Sequence, residues 1–349
     1  MKTDAKLTPV REAHRFDERA LNVYLQSNLR GYQGPCTVEQ FEGGQSNPTF
    51  LLTAGGKRYV LRKKPPGKLL PSAHQVDREF RVMKALNKSD VPVPEMYLLC
   101  EDENVIGTIF FVMEHVQGRV LEDISLPGMT AEERHAIYFD MIRVLAALHS
   151  VDYGALGLDN YGKPGNYFSR QIGRWSKQYA AAKTDEIESM ERLMEYLPAN
   201  VPADDTSCIV HGDYRMGNML LHPSKPRIAA LLDWELSTLG HPLGDLGYCC
   251  MFYHSGIAGR TSLDGLTGPA TGIPTEEEFL AEYCRLSGRC GIPNWNFYLA
   301  FSFFRLASIL QGVYKRGIMG NASSTEAIER GRMAREIADL AWELIEKEI

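Results

Sequence analysis

His211 to Asp245 reads HGDYRMGNMLLHPSKPRIAALLDWELSTLGHPLGD. Two short apolar segments, Met219 to His222 and Arg227 to Leu232, flank Pro223-Ser224-Lys225-Pro226, a pattern that predicts a β-hairpin with a polar tip. The midpoint between Asn218 and Asp233 falls between Lys225 and Pro226, inside the turn. A symmetric antiparallel pairing then brings those two side chains together at the open end, roughly 5 Å apart. Asp213 follows the strand-like run Cys208-Ile209-Val210 and precedes Asn218 by five residues, so a third oxygen-bearing group is expected nearby. Oxygen ligands without a thiolate suit Mg²⁺, which takes one or two protein groups and completes its shell with phosphate and water. The same stretch offers a second arrangement, a metal hydrolase using His211, Asp213, His222, Asp233, His241 and Asp245. His222 lies at the turn, away from Asp213, which weighs against a shared site.

In protein kinases an Asp, an Asn five residues on, and a second Asp one hairpin later occur in this order; the first accepts the substrate hydroxyl's proton and the other two hold metal. On these residues the chain resembles the aminoglycoside phosphotransferase and choline kinase group of kinase-like small-molecule phosphotransferases. His211-Gly212-Asp213 stands for the kinases' His-Arg-Asp, and Asp233-Trp234-Glu235 for Asp-Phe-Gly. Tyr161-Gly162-Lys163-Pro164-Gly165-Asn166-Tyr167, followed by Arg170-Gln171 and Arg174-Trp175, is similar to one branch, the kinase-like domains fused to or encoded near acyl-CoA dehydrogenases. That likeness extends over nearly the whole chain. It implies an α+β, bilobal protein-kinase-like fold: a small β-rich N-lobe over residues 1–115 and a larger, mainly helical C-lobe over 116–349, with ATP and Mg²⁺ in the cleft. It further implies an ATP-dependent phosphotransferase in which Asp213 is catalytic, Asn218 and Asp233 bind the metal, and the acceptor is a small-molecule hydroxyl. Some relatives in that branch are taken to phosphorylate hydroxylated acids or their acyl-CoA esters. Arg170 and Arg174 are therefore candidate anion contacts, and Arg215, two residues beyond Asp213, a candidate contact to acceptor or phosphate.

Upstream, Thr37 to Phe41, Thr49 to Thr53 and Lys57 to Lys63 are β-prone, the last two joined by the hairpin signal Ala54-Gly55-Gly56. Gly43-Gly44-Gln45-Ser46-Asn47-Pro48 lies between the first two; its glycines allow amides to approach phosphate, and Ser46 and Asn47 add donors at the γ end. It resembles the Gly-Gly-x-Ser-Asn loop of these phosphotransferases. Tyr59-Val60-Leu61-Arg62 lines up with the kinase Val-Ala-Ile-Lys pattern, so Arg62 is expected on the phosphates, while alternation turns Lys63 to the other face as a solvated cation, like Lys64. A helix expected over Ser72 to Leu86 carries Glu79, the carboxylate to orient Arg62. Ile109 to Gly118 reads as a buried strand entering a turn; by resemblance, backbone groups from Glu114 to Val116 bind the adenine edge.

An amphipathic helix is expected over Phe16 to Leu29, with Leu21, Val23, Tyr24 and Leu29 inward. Beyond Gly118 the pattern is helical: Thr130 to His149 opened by a capping box, one long stretch from Asn166 to Leu197, then Thr275 to Ser287, Trp295 to Lys315 and Ser323 to Glu348. By resemblance to related folds, Asp245 is expected to brace the catalytic loop by accepting backbone N–H groups, a structural role. The 349 residues are 44% apolar and 23% charged with a net charge of −6, which argues against a nucleic-acid binder. The first twenty residues lack a signal peptide's apolar core, and no uninterrupted apolar run reaches the length of a membrane span, so a cytoplasmic protein without membrane association is expected. Seven scattered cysteines without a C-x-x-C pair predict reduced thiols. Oligomeric state is not readable. The alternatives are a nucleotide-binding regulator that has lost kinase chemistry, and the His/Asp hydrolase. A polycationic aminoglycoside acceptor would call for an acidic surface, an acyl or CoA acceptor for apolar walls with basic rims.

Overall fold

The computed structural model describes residues 6–42, 47–65, 74–121, 123–254, 262–320 and 326–347. They form two compact units that interleave along the chain: Met1–Glu122, Asp152–Tyr161 and Met216–Ser237 make the first, and Asp123–Val151, Gly162–Arg215 and Thr238–Ile349 the second. The hairpin expected in the C-lobe thus counts with the N-terminal sheet.

In the first unit six antiparallel strands lie in the order Leu7–Thr8, Thr37–Phe41, Thr49–Ala54, Lys57–Lys63, Phe110–Glu114 and Met96–Cys100. Gly55 and Gly56 join the third and fourth with φ of 55° and 74°, the left-handed pair that a two-residue hairpin requires. One face of the sheet packs Phe50, Leu52, Leu61 and Phe110 against Leu21 and Leu25 of the Glu18–Asn28 helix. Val23 does not join them; it is 71% exposed, because Leu25 supplies the next inward position instead. Lys63 also departs from expectation. Alternation does turn it away from Arg62, but that face is the covered one, and its ammonium lies 5.7 Å from the Phe16 ring centre and 5.9 Å from that of Phe50. It is 4% exposed, and burial lowers its pKa.

The helix Val76–Leu86 belongs to this unit too, bringing Phe80 against Phe111. The hairpin strands are Met219–Leu221 and Ile228–Leu231, with Arg119–Val120 pairing on the outer side of the first. Gly118 allows that approach, since a Cβ there would lie 2.9 Å from Leu220 Cβ and 3.0 Å from the Leu221 carbonyl oxygen. The pairing is not symmetric. Ile228 faces Leu221 but Ala230 faces Leu220, so one residue is bulged out and Leu232, not Asp233, comes opposite Asn218, whose carbonyl accepts the Leu232 N–H at 2.8 Å.

The second unit is mainly helical, with Cys208–Val210 and Thr238–Gly240 as its antiparallel strand pair. Ala131–His149 opens with the Thr130/Glu133 capping box and Glu276–Ser287 with Thr275/Glu278. The stretch expected to be one helix from Asn166 to Leu197 is two, Tyr167–Ala182 and Glu188–Ala199, separated by the Lys183–Ile187 segment, in which Ile187 turns inward and is 4% exposed. Two helices, Ala327–Arg332 and Ala334–Glu346, follow near the C-terminus. Among the described residues one helix, Trp295–Ile318, is long and apolar enough to cross a membrane, but 72% of that stretch is buried in the fold. Tyr298, Phe301, Phe303 and Phe304 make it the core. All seven cysteines are free thiols.

Candidate active site

Arg62 is the hub of the first unit's polar centre. Its Nε lies 2.9 Å from Glu79 Oε2, a close ion pair, and its Nη2 donates to Asp233 Oδ1 at 2.9 Å, with Glu235 Oε2 at 3.9 Å. Arg62 and Glu79 come from a strand and a helix, and Asp233 from the end of the hairpin, so the contact ties three elements together. Burial works against the guanidinium's charge, but Glu79, Asp233 and Glu235 together outweigh it and raise the pKa of Arg62. Glu79 is 1% exposed. Burial pushes it up to about 7 even though Arg62 pulls the other way, because Asp233 and Glu235 add like charge.

The Asn47 side chain donates to Glu79 Oε1 at 2.7 Å and approaches His74 Nδ1 at 3.1 Å through its own oxygen. The buried Asn47 amide thus supports the Glu79 carboxylate, a partnership not expected from the sequence. Ser46 and residues 43–45 lie outside the described residues.

Asn218 and Asp233 line a cavity of about 390 Å³ together with Arg62 and Glu79. Its other walls are apolar, including Val60, Met113, Val116 and Leu220, a lining suited to a flat heterocycle. Asp233 holds a left-handed backbone, φ 67°, in a non-glycine residue. Trp234, 1% exposed and donating its indole N–H to the Leu231 carbonyl at 3.0 Å, anchors that turn. The one-residue register offset therefore does not separate Asn218 from Asp233, because both face the same cavity. Glu114 and Val116 line it as well, but the Glu114 N–H is already bonded to the Glu95 carbonyl at 2.8 Å and its carboxylate accepts the Glu95 N–H at 3.1 Å. Glu114 thus clamps the neighbouring strand.

The donor set fits a hard cation. An Asn amide oxygen and the carboxylate oxygen of Asp233 not engaged by Arg62 are the few oxygen ligands that Mg²⁺ asks of a protein when phosphate supplies the rest. Among the described residues no group of three or more His, Cys, Asp or Glu is placed to hold a metal ion.

In the second unit, the residues from His211 to Asp213 are held by their backbone. Asp245 accepts the N–H groups of His211, at 2.6 Å, and Gly212, at 2.8 Å, while His149 Nε2 lies 3.5 Å from the same carboxylate. Asp245 is 1% exposed; burial raises its pKa, but His149, His211 and the His211 N–H lower it by more, so it stays charged below the usual carboxylate range. Gly212 has φ 81°, the reason a glycine separates His211 from Asp213. The Asp213 N–H donates to His211 Nδ1 at 3.2 Å, and Arg215 Nε sits 3.1 Å and 3.3 Å from the two Asp213 oxygens.

Sequence reading missed Arg305 and Tyr248 here. Arg305 Nη2 donates to the Gly212 carbonyl at 2.6 Å, and Tyr248 stands near Asp213; burial, with the charge of Asp213, raises the tyrosine's pKa. Of the two upstream arginines, Arg170 gives Nη2 to the Lys163 carbonyl at 2.6 Å, and Arg174 lies over the Trp175 ring at 5.4 Å. Arg305 approaches the same indole at 5.6 Å, so Arg174 is linked to the His211–Asp213 segment through stacked groups while Arg170 is occupied locally.

The model of the phosphotransferase enzyme family matches residues 37–287, well over half of the chain. The chain belongs to the phosphotransferase enzyme family. This phosphotransferase is 52% identical to a Ralstonia eutropha protein described as a candidate aminoglycoside phosphotransferase, with a TM-score of 0.89 over 95% of this chain and 99% of that one. A thermostable aminoglycoside phosphotransferase mutant, solved with ADP and hygromycin B, shares the fold at 16% identity and a TM-score of 0.60, over 93% and 98% of the two chains. Acyl-CoA dehydrogenase family member 10 of Mus musculus is 47% identical over 347 residues, 97% of this chain but 32% of its own length. The chain thus spans about a third of that relative. The bilobal, kinase-like fold of these enzymes is the fold of this phosphotransferase, and it is a small-molecule kinase, an enzyme that transfers phosphate to a hydroxyl.

Proposed function

We propose that this phosphotransferase moves the γ-phosphoryl group of Mg²⁺-bound ATP to the hydroxyl of a small anionic molecule, a hydroxy acid or hydroxyacyl-CoA. The carrying observation is the buried Arg62–Glu79–Asp233 cluster lining the cavity that Asn218 also faces. Phosphoryl transfer needs little covalent help from the protein and depends on positioning and on neutralising phosphate charge. Arg62, fixed by Glu79, presents its cation to the phosphates; Asn218 and Asp233 would hold the metal, which when bound would supply further neutralisation of the triphosphate's charge. Asp213 accepts the acceptor hydroxyl's proton as the new O–P bond forms and ADP leaves.

The anionic acceptor is suggested by Arg215, whose guanidinium beside Asp213 could give charge-assisted N–H donors to an incoming carboxylate or phosphate. The names of relatives such as acyl-CoA dehydrogenase family member 10 support an acyl acceptor. Asp213→Asn is expected to abolish transfer while leaving Mg·ATP affinity nearly unchanged, because a proton acceptor adds little to ground-state binding. A screen of phosphate transfer from ATP to hydroxy acids, hydroxyacyl-CoA esters and aminoglycosides tests the reading. Loss of nucleotide binding in Asp213→Asn as large as in Asp233→Ala, or transfer only to aminoglycosides, would contradict it.

A further inference from the structure

The peptide joining Gly212 to Asp213 has both of its polar groups engaged, the carbonyl by Arg305 Nη2 at 2.6 Å and the N–H by His211 Nδ1 at 3.2 Å. Arg305 is an unusual group to find there. It stands in the middle of the apolar Trp295–Ile318 helix, is 8% exposed, and among the described residues has no carboxylate within ion-pair distance. Its Nε is buried without a hydrogen-bond partner, and its guanidinium carbon lies 5.2 Å from the Tyr248 ring centre and 5.6 Å from that of Trp175. Placing an unpaired guanidinium in a core is costly. Stacking on two rings and one bond to a backbone carbonyl offset only part of that cost.

The ring beneath Arg305 leads to the same residue by another route. Tyr248, on the Pro242–Cys250 helix and stacked under the guanidinium, stands beside the Asp213 carboxylate, whose charge acts on the tyrosine. Two helices therefore converge on one residue, one holding the peptide that precedes it and the other standing beside its carboxylate, and the guanidinium keeps the tyrosine ring in place.

We propose that Arg305 and Tyr248 are a positioning pair for the Asp213 carboxylate; this rests on the reading of Asp213 as the proton acceptor. The test needs no knowledge of the acceptor. Mg²⁺-dependent ATP hydrolysis, with water as acceptor, is followed by phosphate release for the full chain carrying Arg305→Met, Arg305→Lys or Tyr248→Phe, each with Asp213 intact and with Asp213→Asn. With Asp213 present, Arg305→Met lowers kcat about 30-fold, Tyr248→Phe about 5-fold, and Arg305→Lys by an intermediate factor, while KM for ATP stays within about twofold. With Asp213→Asn none of the three lowers the rate further by more than about twofold, since residues that act through one group are not additive. Equal losses in both backgrounds, or losses confined to KM, overturn the pairing. Hydrolysis lost in Asp213→Asn but indifferent to Arg305→Met and Tyr248→Phe overturns it while leaving the base assignment standing. Hydrolysis unaffected by Asp213→Asn overturns both. If Arg305→Met does not fold, Tyr248→Phe, which removes one hydroxyl, carries the same comparison.

Discussion

Arg62 satisfies Glu79 and Asp233 at once because its Nε and Nη2 point in different directions from one planar group. A lysine at this position has one nitrogen and cannot span both carboxylates. Arg62→Lys is therefore expected to cost about 2 kcal/mol of folding stability and to weaken Mg·ATP binding, measured by denaturant titration and by nucleotide titration. Unchanged values in both would remove Arg62 from the nucleotide site. Arg62 and Glu79 were legible in sequence because strand and helix periodicity place each in its element and the resemblance supplies the partnership. Lys63 was misread for a physical reason: alternation predicts which face a side chain takes, not whether that face is covered, and the cover here is Phe16, 47 residues upstream. Arg305 was invisible for a related one. It acts on Gly212 from 93 residues away, inside a helix whose apolar pattern reads only as core.

At the scale of the element, the Pro242–Cys250 helix begins on His241, whose Nδ1 accepts the Leu243 N–H at 3.2 Å. That cap requires a neutral imidazole, because a protonated Nδ1 would point a hydrogen at the N–H it serves. Burial pushes His241 down to about 4, with Asp204 opposing and Arg289 assisting. The unfolded chain has the ordinary value of about 6.5, so it binds a proton first on acidification. Stability from this group is complete above pH 6.5 and is lost as pH falls toward 4, by roughly 3 kcal/mol if burial acts in full. His241→Asn keeps a capping acceptor without titrating, and denaturation at pH 7 and pH 4.5 should show a smaller acid loss in the variant than in the parent. Equal losses would count against the assignment. The capping box at Thr130 gives a simpler expectation, a loss of about 1 kcal/mol in Thr130→Ala by thermal unfolding. The Thr130 capping box and the hairpin were readable because their signals lie within a few residues. The hairpin's register was not, since a bulge next to Ala230 depends on how the strand meets its neighbours.

At the scale of the whole molecule, the first unit contains every residue assigned here to nucleotide and metal. Mg·ATP at about a hundred times its Kd should stabilise the fold by about 2.7 kcal/mol, and ATP with a chelator by much less. A thermal shift of equal size with and without Mg²⁺ would speak against Asn218 and Asp233 as metal ligands. A β-rich half followed by a helical half was plain from the change in periodicity after Gly118, but periodicity is read in chain order and the compact units are not. The segment 216–237 is separated by some 90 residues from the strands it joins. A recombinant fragment ending at 122 would retain Arg62 and Glu79 while discarding Asn218 and Asp233, stranding a guanidinium beside a single carboxylate. Splicing 216–237 onto that fragment through a designed linker, with 152–161 restored, would return both missing oxygen groups to one polypeptide.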